Sequence, residues 1–213
     1  MTKLVVFGAT GYAGGRISAE ALRRGHEVVG VARSAGEAPE GVDLRQGSLH
    51  DEEFVAGLAK DADVLVVSTP AREIDGRKLI DAVPTLSRIA AEHGARLSFV
   101  GGASSLYVAE GGPRLLDTPE FPDEYKAEAS NHAEVLYLLR EQPEALDWFY
   151  VSPAAEFGSW VPGERTGKFR LGDDILVTDE NGESKIGGDD YAIAFVNEID
   201  EPKHSRKRFT VAY

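Results

Sequence analysis

The sequence predicts an α/β fold in which a doubly wound parallel sheet is covered by helices on both faces. Short and nearly unbroken apolar runs, such as KLVVFG (3–8) and ADVLVVST (62–69), are typical of strands that are buried on both sides. Stretches with apolar residues at helical spacing separate these runs, so strands and helices alternate along the chain. A chain of 213 residues has the length of one such core, and we expect a single domain over 1–213.

The first half of the chain repeats a unit of strand, helix and strand. After the strand at 3–8, Ile17, Ala21 and Leu22 form one face of a helix predicted over 14–26. The apolar run EVVGVA predicts a second strand, and DEEFVAGLAKD predicts a short helix that precedes the strand ADVLVVST. The predicted ranges are 27–32 for the second strand, 34–41 for a loop, 51–61 for the second helix and 62–69 for a third or fourth strand.

The second half continues this alternation and ends in a less regular region. A helix begun or broken at Pro84 runs to Gly94, a residue type that commonly ends helices. The stretch 168–186 alternates apolar and polar residues around the turn signal Asn181-Gly182, which predicts a small C-terminal antiparallel excursion on the substrate side. The remaining predicted elements are strands at 96–104, 146–154 and 208–213 and helices at 125–142 and 189–200.

Three glycines, Gly8, Gly11 and Gly14, lie between the first strand and the first helix. In a parallel strand-turn-helix unit, glycines here permit a tight turn, a close approach of phosphate to backbone N–H groups, and close packing of the helix on the strand. Their spacing is G-x-x-G-x-x-G rather than the G-x-G-x-x-G of the common dinucleotide fingerprint. Their position favours a nucleotide-binding loop, and a tight turn that binds nothing is the alternative.

The end of the second predicted strand distinguishes between the two nicotinamide dinucleotides. A site for NAD(H) commonly places an acid here, which accepts hydrogen bonds from the ribose hydroxyls. This chain has Arg33 and Ser34 instead, and a guanidinium binds a 2′-phosphate well. We therefore expect NADP(H) in preference to NAD(H). A surface arginine without a ligand and a ribose contact from Glu37 are the alternatives.

Composition and charge exclude several other classes of protein. With 23 Lys and Arg against 36 Asp and Glu, the net charge of −13 opposes binding to nucleic acid or to an anionic membrane. No apolar run approaches the ~20 residues of a membrane helix. There is no cysteine, and the five histidines form no H-x-x-x-H or H-E-x-x-H pair, so we expect no metal site. The first residues do not have the pattern of a signal peptide, and we expect a cytoplasmic protein.

The motifs FGATGYAGG, GHEVVGVARS, VLVVSTP, FVGGASS and WFYVSPA follow one another along the chain. In this order they resemble the atypical short-chain dehydrogenase/reductases, which have a Rossmann-like fold. The resemblance is strongest to the small NAD(P)H-binding branch that includes NmrA-like proteins and NADH-flavin or NADPH-flavin reductases, and it covers nearly the whole chain. It implies a dinucleotide held by the glycine loop and by the carboxyl ends of the strands.

The resemblance also implies a role for individual residues along the dinucleotide. Beyond the three glycines and the pair at 33–34, these residues are Thr10 and Tyr12 at the pyrophosphate, Ser48 and Leu49 at the adenine, Ser68, Thr69 and Pro70 at the nicotinamide ribose, and Pro153 at the nicotinamide. The alternative for the last four is an ordinary strand exit.

The catalytic pattern of the larger family is incomplete in this chain. Classical members reduce carbonyls with a Tyr-x-x-x-Lys pair, but here Tyr125 is followed four residues later by Ala129. Lys126 is adjacent and points about 100° away on a helix. Flavin and biliverdin reductases of this fold carry a serine and a histidine at the positions of Ser104 and His132. These two and Tyr125 are the candidate catalytic residues, and a structural role is the alternative for Ser104 and His132.

The loop after the strand at 146–154 contains the candidate substrate residues. Phe157, Trp160 and Arg165 follow the carboxyl end of a strand, where such sheets form their ligand crevice. They suit a planar, anionic substrate, and an apolar anchor for the loop is the alternative.

Together these observations predict an NADP(H)-dependent oxidoreductase that transfers hydride to a flavin such as FMN or FAD, to a quinone, or to a similar conjugated acceptor. The cofactor carries the chemistry in such reactions, so few acid–base residues are required. A non-catalytic NmrA-like sensor of NADP(H) is the main alternative, and an NAD-dependent epimerase or dehydratase is a third. We expect a small-molecule substrate, and the sequence is compatible with a homodimer.

Overall fold

The computed structural model describes residues 1–213, in which strands and helices alternate. No helix combines the length and the apolar character that crossing a bilayer requires. The strands are β1 (Lys3–Phe7), β2 (Glu27–Ala32), β3 (Asp43–Gln46), β4 (Val64–Val67), β5 (Arg96–Val100), β6 (Trp148–Ser152), β7 (Arg170–Gly172) and β8 (Lys207–Ala212). The α-helices are α1 (Tyr12–Arg23), α2 (Glu52–Ala59), α3 (Leu79–His93), α4 (Asp123–Arg140) and α5 (Gly188–Asp200).

All eight strands form one sheet in the order β3-β2-β1-β4-β5-β6-β8-β7. Every neighbouring pair is parallel except β7 with β8. The chain proceeds outward from β1 to β3, then crosses to the other side of β1 and continues from β4. This is the Rossmann-like α/β fold predicted from the sequence. The reversal of direction opens a crevice at the carboxyl ends of β1 and β4, where doubly wound sheets bind ligands.

Apolar side chains on both faces of the sheet join it to the helices. Val5 and Phe7 of β1 belong to a core of 26 buried residues that includes α2, α3 and α4. Leu4 and Val6 point to the opposite face and belong to a core of 22 buried residues with α1 and α5. Burial on both faces explains why the central strands are continuous apolar runs in the sequence.

Two elements differ from the sequence prediction. The sequence does not predict β3, because all four of its residues are exposed and show no apolar pattern. The helix α3 begins at Leu79, five residues before Pro84, which lies inside it. The carboxylate of Asp81 accepts a hydrogen bond from the N–H of Lys78 (2.8 Å) and so caps the extra turn, while Leu79 anchors this turn in the core.

The predicted antiparallel excursion is confirmed in part. β7 pairs antiparallel with β8. Asn181-Gly182 does form a turn, in which the N–H of Asp179 donates to the carbonyl oxygen of Glu183 (2.8 Å) and Gly182 has φ +83°. The rest of the stretch 168–186 forms no further strand, so the excursion consists of one three-residue strand and its connecting loop.

Candidate functional site

A cavity of about 400 Å³ lies at the carboxyl ends of β1, β2 and β4, where the strand order reverses. Its wall comes from the loops that follow these three strands and from the segment that follows β3. Ten of the residues predicted to contact a dinucleotide lie in this wall: Gly8, Thr10, Gly11, Arg33, Ser34, Ser48, Leu49, Ser68, Thr69 and Pro70.

Gly8 and Gly14 make the turn between β1 and α1 compact. Gly8 has φ +87°, and a Cβ at this position would lie 2.2 Å from the carbonyl oxygen of Ser68. A Cβ at Gly14 would lie 2.2 Å from the carbonyl oxygen of Gly8. Both positions therefore require glycine, the first for a turn packed against the end of β4 and the second for close packing of α1 on that turn.

The N-terminus of α1 adjoins the cavity and is open to an anion. Gly11 is its N-cap residue, and no side chain caps the helix. The first turn of α1 contains no acid, whereas the first turns of α2, α4 and α5 each contain two. The N–H groups of Tyr12 and Ala13 donate to no acceptor in the protein. Unpaired N–H groups at the positive end of a helix dipole favour phosphate, so this loop fits the pyrophosphate of a dinucleotide.

The cavity wall is positively charged although the protein is acidic. It contains three arginines, Arg33, Arg72 and Arg77, and a single acid, Asp75, while the whole chain has a net charge of −13. His50 also lines the cavity, and its burial together with the charge of Arg77 lowers its pKa, so that its imidazole is neutral near pH 7. An excess of fixed positive charge in a crevice favours an anionic ligand.

Arg33 lies directly after β2, as the sequence predicts. Its Nη1 donates to Oδ2 of Asp75 (3.0 Å), and its carbonyl oxygen accepts from Nε2 of Gln46 (3.0 Å). More than half of the side chain is exposed, at 57%. Glu37, the alternative ribose contact, does not line the cavity. The cation at the end of β2 is therefore accessible to a ligand, and no carboxylate replaces it at that position.

The 70–78 loop, the later part of the connection from β4 to α3, supplies four wall residues that the sequence does not single out. Arg72, Ile74, Asp75 and Arg77 all come from this loop. Their segment contains no known motif. The signal that identifies them is position, because loops after the carboxyl ends of parallel strands line the ligand crevice.

Ser104 and His132 lie together beside Gly102, and neither lines the cavity. A Cβ at Gly102 would lie 3.5 Å from Oγ of Ser104 and from Cγ of His132. Oγ of Ser104 donates to the carbonyl oxygen of Ala129 (3.2 Å), which is a structural contact. Nδ1 of His132 is buried without a hydrogen-bond partner, and burial lowers the pKa of the ring to about 4. His132 is therefore neutral at pH 7 and is not an imidazolium acid there.

Tyr125 is separate from these two residues. Its side chain is 58% exposed, it does not line the cavity, and no hydrogen bond holds its hydroxyl group. Nζ of Lys126 binds the carboxylate of Asp123 (2.6 Å), and the position four residues after the tyrosine is the buried Ala129. The paired tyrosine and lysine of classical carbonyl reduction are absent from this helix.

Several other predicted contact residues pack against protein groups outside the cavity wall. Tyr12 packs edge-on against Phe157, with ring centroids 5.4 Å apart, and Phe157 packs on the buried Tyr191 at 4.5 Å. Pro153 is buried directly after β6, and Trp160 is largely exposed. Phe157 thus connects Tyr12 at the start of α1 to Tyr191 of α5, and Trp160 takes no part in this contact.

Arg165 binds a protein carboxylate. Its Nη2 donates to both carboxylate oxygens of Glu20 (3.1 and 3.0 Å), a side chain of α1 that is only 3% exposed. Glu20 lies nine residues after Gly11, which is about 13 Å along the helix axis. We therefore assign Arg165 to the structure of the fold and not to the substrate site.

A family model described as NAD(P)H-binding matches residues 8–202. The chain belongs to the NAD(P)H-binding family. The match runs from the glycine loop to the end of α5 and confirms the resemblance found in the sequence. Membership of the NAD(P)H-binding family supports a nicotinamide dinucleotide as the ligand of the cavity.

Relatives of this NAD(P)H-binding chain match it over nearly their full length. YwnB of Bacillus subtilis, an uncharacterized protein, is 39% identical over 212 residues, which are 98% of this chain and 97% of YwnB. A solved structure of a proposed exported protein from Burkholderia pseudomallei is 41% identical, with a TM-score of 0.87 and 100% of both chains covered.

Two further solved structures of similar proteins come with a proposed activity. A proposed NADH-flavin reductase from Streptococcus pneumoniae is 35% identical with a TM-score of 0.89, over 100% of this chain and 99% of its own. A proposed epimerase from Bacteroides thetaiotaomicron is 33% identical with a TM-score of 0.87, over 100% and 97% respectively.

Proposed function

We propose that this protein is an NADP(H)-dependent oxidoreductase that reduces a flavin, a quinone or a similar conjugated acceptor. The proposal is carried by the cavity wall, in which Arg33 occupies the place of the ribose-binding acid and two further arginines lie nearby. A 2′-phosphate carries up to two negative charges, and guanidinium groups bind it through charge-assisted hydrogen bonds. The charge of the wall thus favours the phosphorylated dinucleotide.

The wall residues divide by the part of the cofactor that they would hold. The glycine loop and the N-terminus of α1 suit the pyrophosphate, Arg33 and Ser34 the 2′-phosphate, and Ser48 and Leu49 the adenine. Oγ1 of Thr69 is buried without a partner and is available to the nicotinamide half. When bound, the cofactor supplies the hydride.

The absence of a positioned acid favours a conjugated acceptor. Reduction of an isolated carbonyl requires a proton donor at the substrate oxygen. Tyr125 is exposed without a lysine partner, and His132 is neutral at pH 7. A flavin or quinone delocalises the charge of the added hydride over its ring and takes its proton from water. The activity proposed for the Streptococcus pneumoniae relative belongs to this class.

A non-catalytic sensor of NADP(H) is the second candidate. The absence of a positioned acid also favours a sensor, because binding of the dinucleotide requires the cavity but no proton donor. An epimerase of the kind proposed for the Bacteroides thetaiotaomicron relative is disfavoured, since Ala129 stands where the lysine of the Tyr-x-x-x-Lys pair is required.

The test is a fluorescence titration of the purified protein with NADPH and with NADH, followed by addition of FMN and then of a quinone while the nicotinamide absorbance is recorded. The proposal predicts tighter binding of NADPH and loss of its absorbance that depends on the acceptor. Binding without turnover by any acceptor would establish the sensor instead. If neither dinucleotide binds, both candidates are wrong.

A pair of arginine variants tests the role of Arg33. We expect Arg33→Ala to weaken NADPH binding by about tenfold or more, with little change for NADH, because the charge-assisted contact to the 2′-phosphate is lost. Arg45→Ala is the matched control, since Arg45 is an exposed arginine paired with Asp43 on the neighbouring β3, outside the cavity wall. An equal effect of both variants would refute a specific contact.

A further inference from the structure

Asp75 is held at the cavity by a tight turn of the 70–78 loop. The N–H of Ile74 donates to the carbonyl oxygen of Arg77 (2.8 Å), and the N–H of Arg77 donates to the carbonyl oxygen of Ile74 (3.1 Å). The two residues between them, Asp75 and Gly76, have φ of +53° and +74°. Positive φ at both central positions defines a type I′ turn, for which the sequence Asp-Gly is strongly preferred. The turn therefore fixes the backbone that carries the carboxylate.

This carboxylate meets the cation that the proposed function assigns to the 2′-phosphate. Oδ2 of Asp75 lies 3.0 Å from Nη1 of Arg33, across 42 residues of chain, and Asp75 is the one acid in the cavity wall. Arg72 and Arg77 in the same wall have no carboxylate partner. The ion pair is exposed, and exposed pairs are weak, so a ligand can displace it.

We infer that Asp75 is a specificity-determining residue that limits the preference of the site for NADP(H). This inference rests on the proposed function. Asp75 occupies a donor of Arg33 that would otherwise bind the 2′-phosphate, and its negative charge repels that phosphate. A dinucleotide without the 2′-phosphate meets neither penalty, and its ribose hydroxyl can donate to the carboxylate. Asp75 thus supplies, from the 70–78 loop, the acid that is missing at the end of β2.

The test compares Asp75→Asn with wild type by titration with NADPH and NADH. Asparagine tolerates positive φ and preserves the turn while it removes the charge. We expect the dissociation constant for NADPH to fall by roughly two- to fivefold, in line with the loss of an exposed ion pair, while that for NADH stays the same or rises. Glu73→Gln is the matched control, because it removes one negative charge from the same loop outside the cavity wall. It should change neither of the two dissociation constants.

The outcomes separate this inference from the function on which it rests. If Asp75→Asn and Glu73→Gln change the ratio of the two dissociation constants equally, the effect is general charge and the inference is wrong. Weaker NADPH binding by Asp75→Asn also overturns it, because Asp75 would then position Arg33 for the phosphate. If wild type and variants bind no dinucleotide, the proposed function itself fails. Thermal unfolding of each variant establishes that the fold is intact.

Discussion

Gly14 lies where α1 crosses the carbonyl group of Gly8, with no space for a methyl group between them. In Gly14→Ala the new Cβ would lie 2.2 Å from that backbone oxygen, so the helix or the loop must shift. We expect a loss of about 1–3 kcal/mol in the free energy of unfolding and at least tenfold weaker NADPH binding. Denaturant unfolding and fluorescence titration measure the two effects.

Gly57 of α2 provides the control for this substitution. A Cβ there meets no atom within 4 Å. Gly57→Ala should therefore stabilise the protein by about 0.5–1 kcal/mol, the ordinary gain for alanine in a helix, and leave binding unchanged. Full binding by Gly14→Ala would contradict close packing of α1 on the glycine loop.

His132 makes the stability of the protein depend on mildly acidic pH. Burial lowers its pKa from 6.5 to about 4, so in this range the unfolded chain binds a proton that the folded protein does not. Stability is therefore expected to fall as the pH decreases from about 6.5 to 4, by up to about 3 kcal/mol. An NMR titration of the imidazole measures the pKa directly, with the signal assigned by its absence in His132→Gln. A midpoint near 6.5 would contradict the buried, unpartnered position of Nδ1.

The junction of β5 with α5 depends on a buried ion pair. Nη2 of Arg96 donates to Oε1 of Glu198 (2.7 Å), whose other carboxylate oxygen accepts from Nδ1 of His204 (2.6 Å). Burial opposes ionisation of Glu198, but the hydrogen bonds from Arg96 and His204 outweigh it and hold the pKa of the carboxyl below its usual range. The contribution of this carboxylate is present above the ordinary glutamate pKa and is lost as the pH falls through the lowered value.

We expect Glu198→Ala to reduce the free energy of unfolding at pH 7 by about 3 kcal/mol or more, because it leaves the buried Arg96 without its main partner. The double variant Arg96→Met, Glu198→Ala should lose less stability than the sum of the losses of Arg96→Met and Glu198→Ala. Urea unfolding of the full cycle measures the coupling. Strict additivity would show that the two side chains act independently.

The elements that the sequence predicts are those with an apolar pattern of their own. β1, β2, β4, β5 and β6 are buried on both faces, and their composition alone identifies them. β3 is held by backbone pairing with β2 at the edge of the sheet, and its exposed side chains carry no signal. The first turn of α3 depends on a cap and on tertiary packing, which outweigh the usual effect of a proline at position 84.

The site is predictable to the extent that its residues have fixed places relative to strand ends. Gly8 and Arg33 directly follow β1 and β2, and Gly14 lies in the first turn of α1, so spacing along the chain locates all three. Arg72 and Arg77 reach the same cavity through a loop whose path is set by contacts distant in sequence. Arg165 comes after a strand end, as a substrate residue would, but its guanidinium donates to the carboxylate of Glu20. Sequence spacing gives no sign of this contact.

At the scale of the whole molecule, both cores share one sheet, and neither can remain intact without it. We therefore expect the protein to unfold as a single domain, with one calorimetric transition whose measured enthalpy equals the van't Hoff enthalpy. NADPH should raise the midpoint temperature through its binding to the folded state alone. Two separate transitions would contradict the single domain.

β8 lies between β6 and β7 although it follows both of them in the chain. On the ribosome, β6 and β7 therefore emerge before β8, the neighbour that they share. Until residues 207–212 leave the exit tunnel, β6 has an open edge with unpaired backbone N–H and C=O groups. Closure of the sheet thus waits for β8, and a nascent chain that stalls before it presents an edge that a chaperone or a foreign strand can occupy.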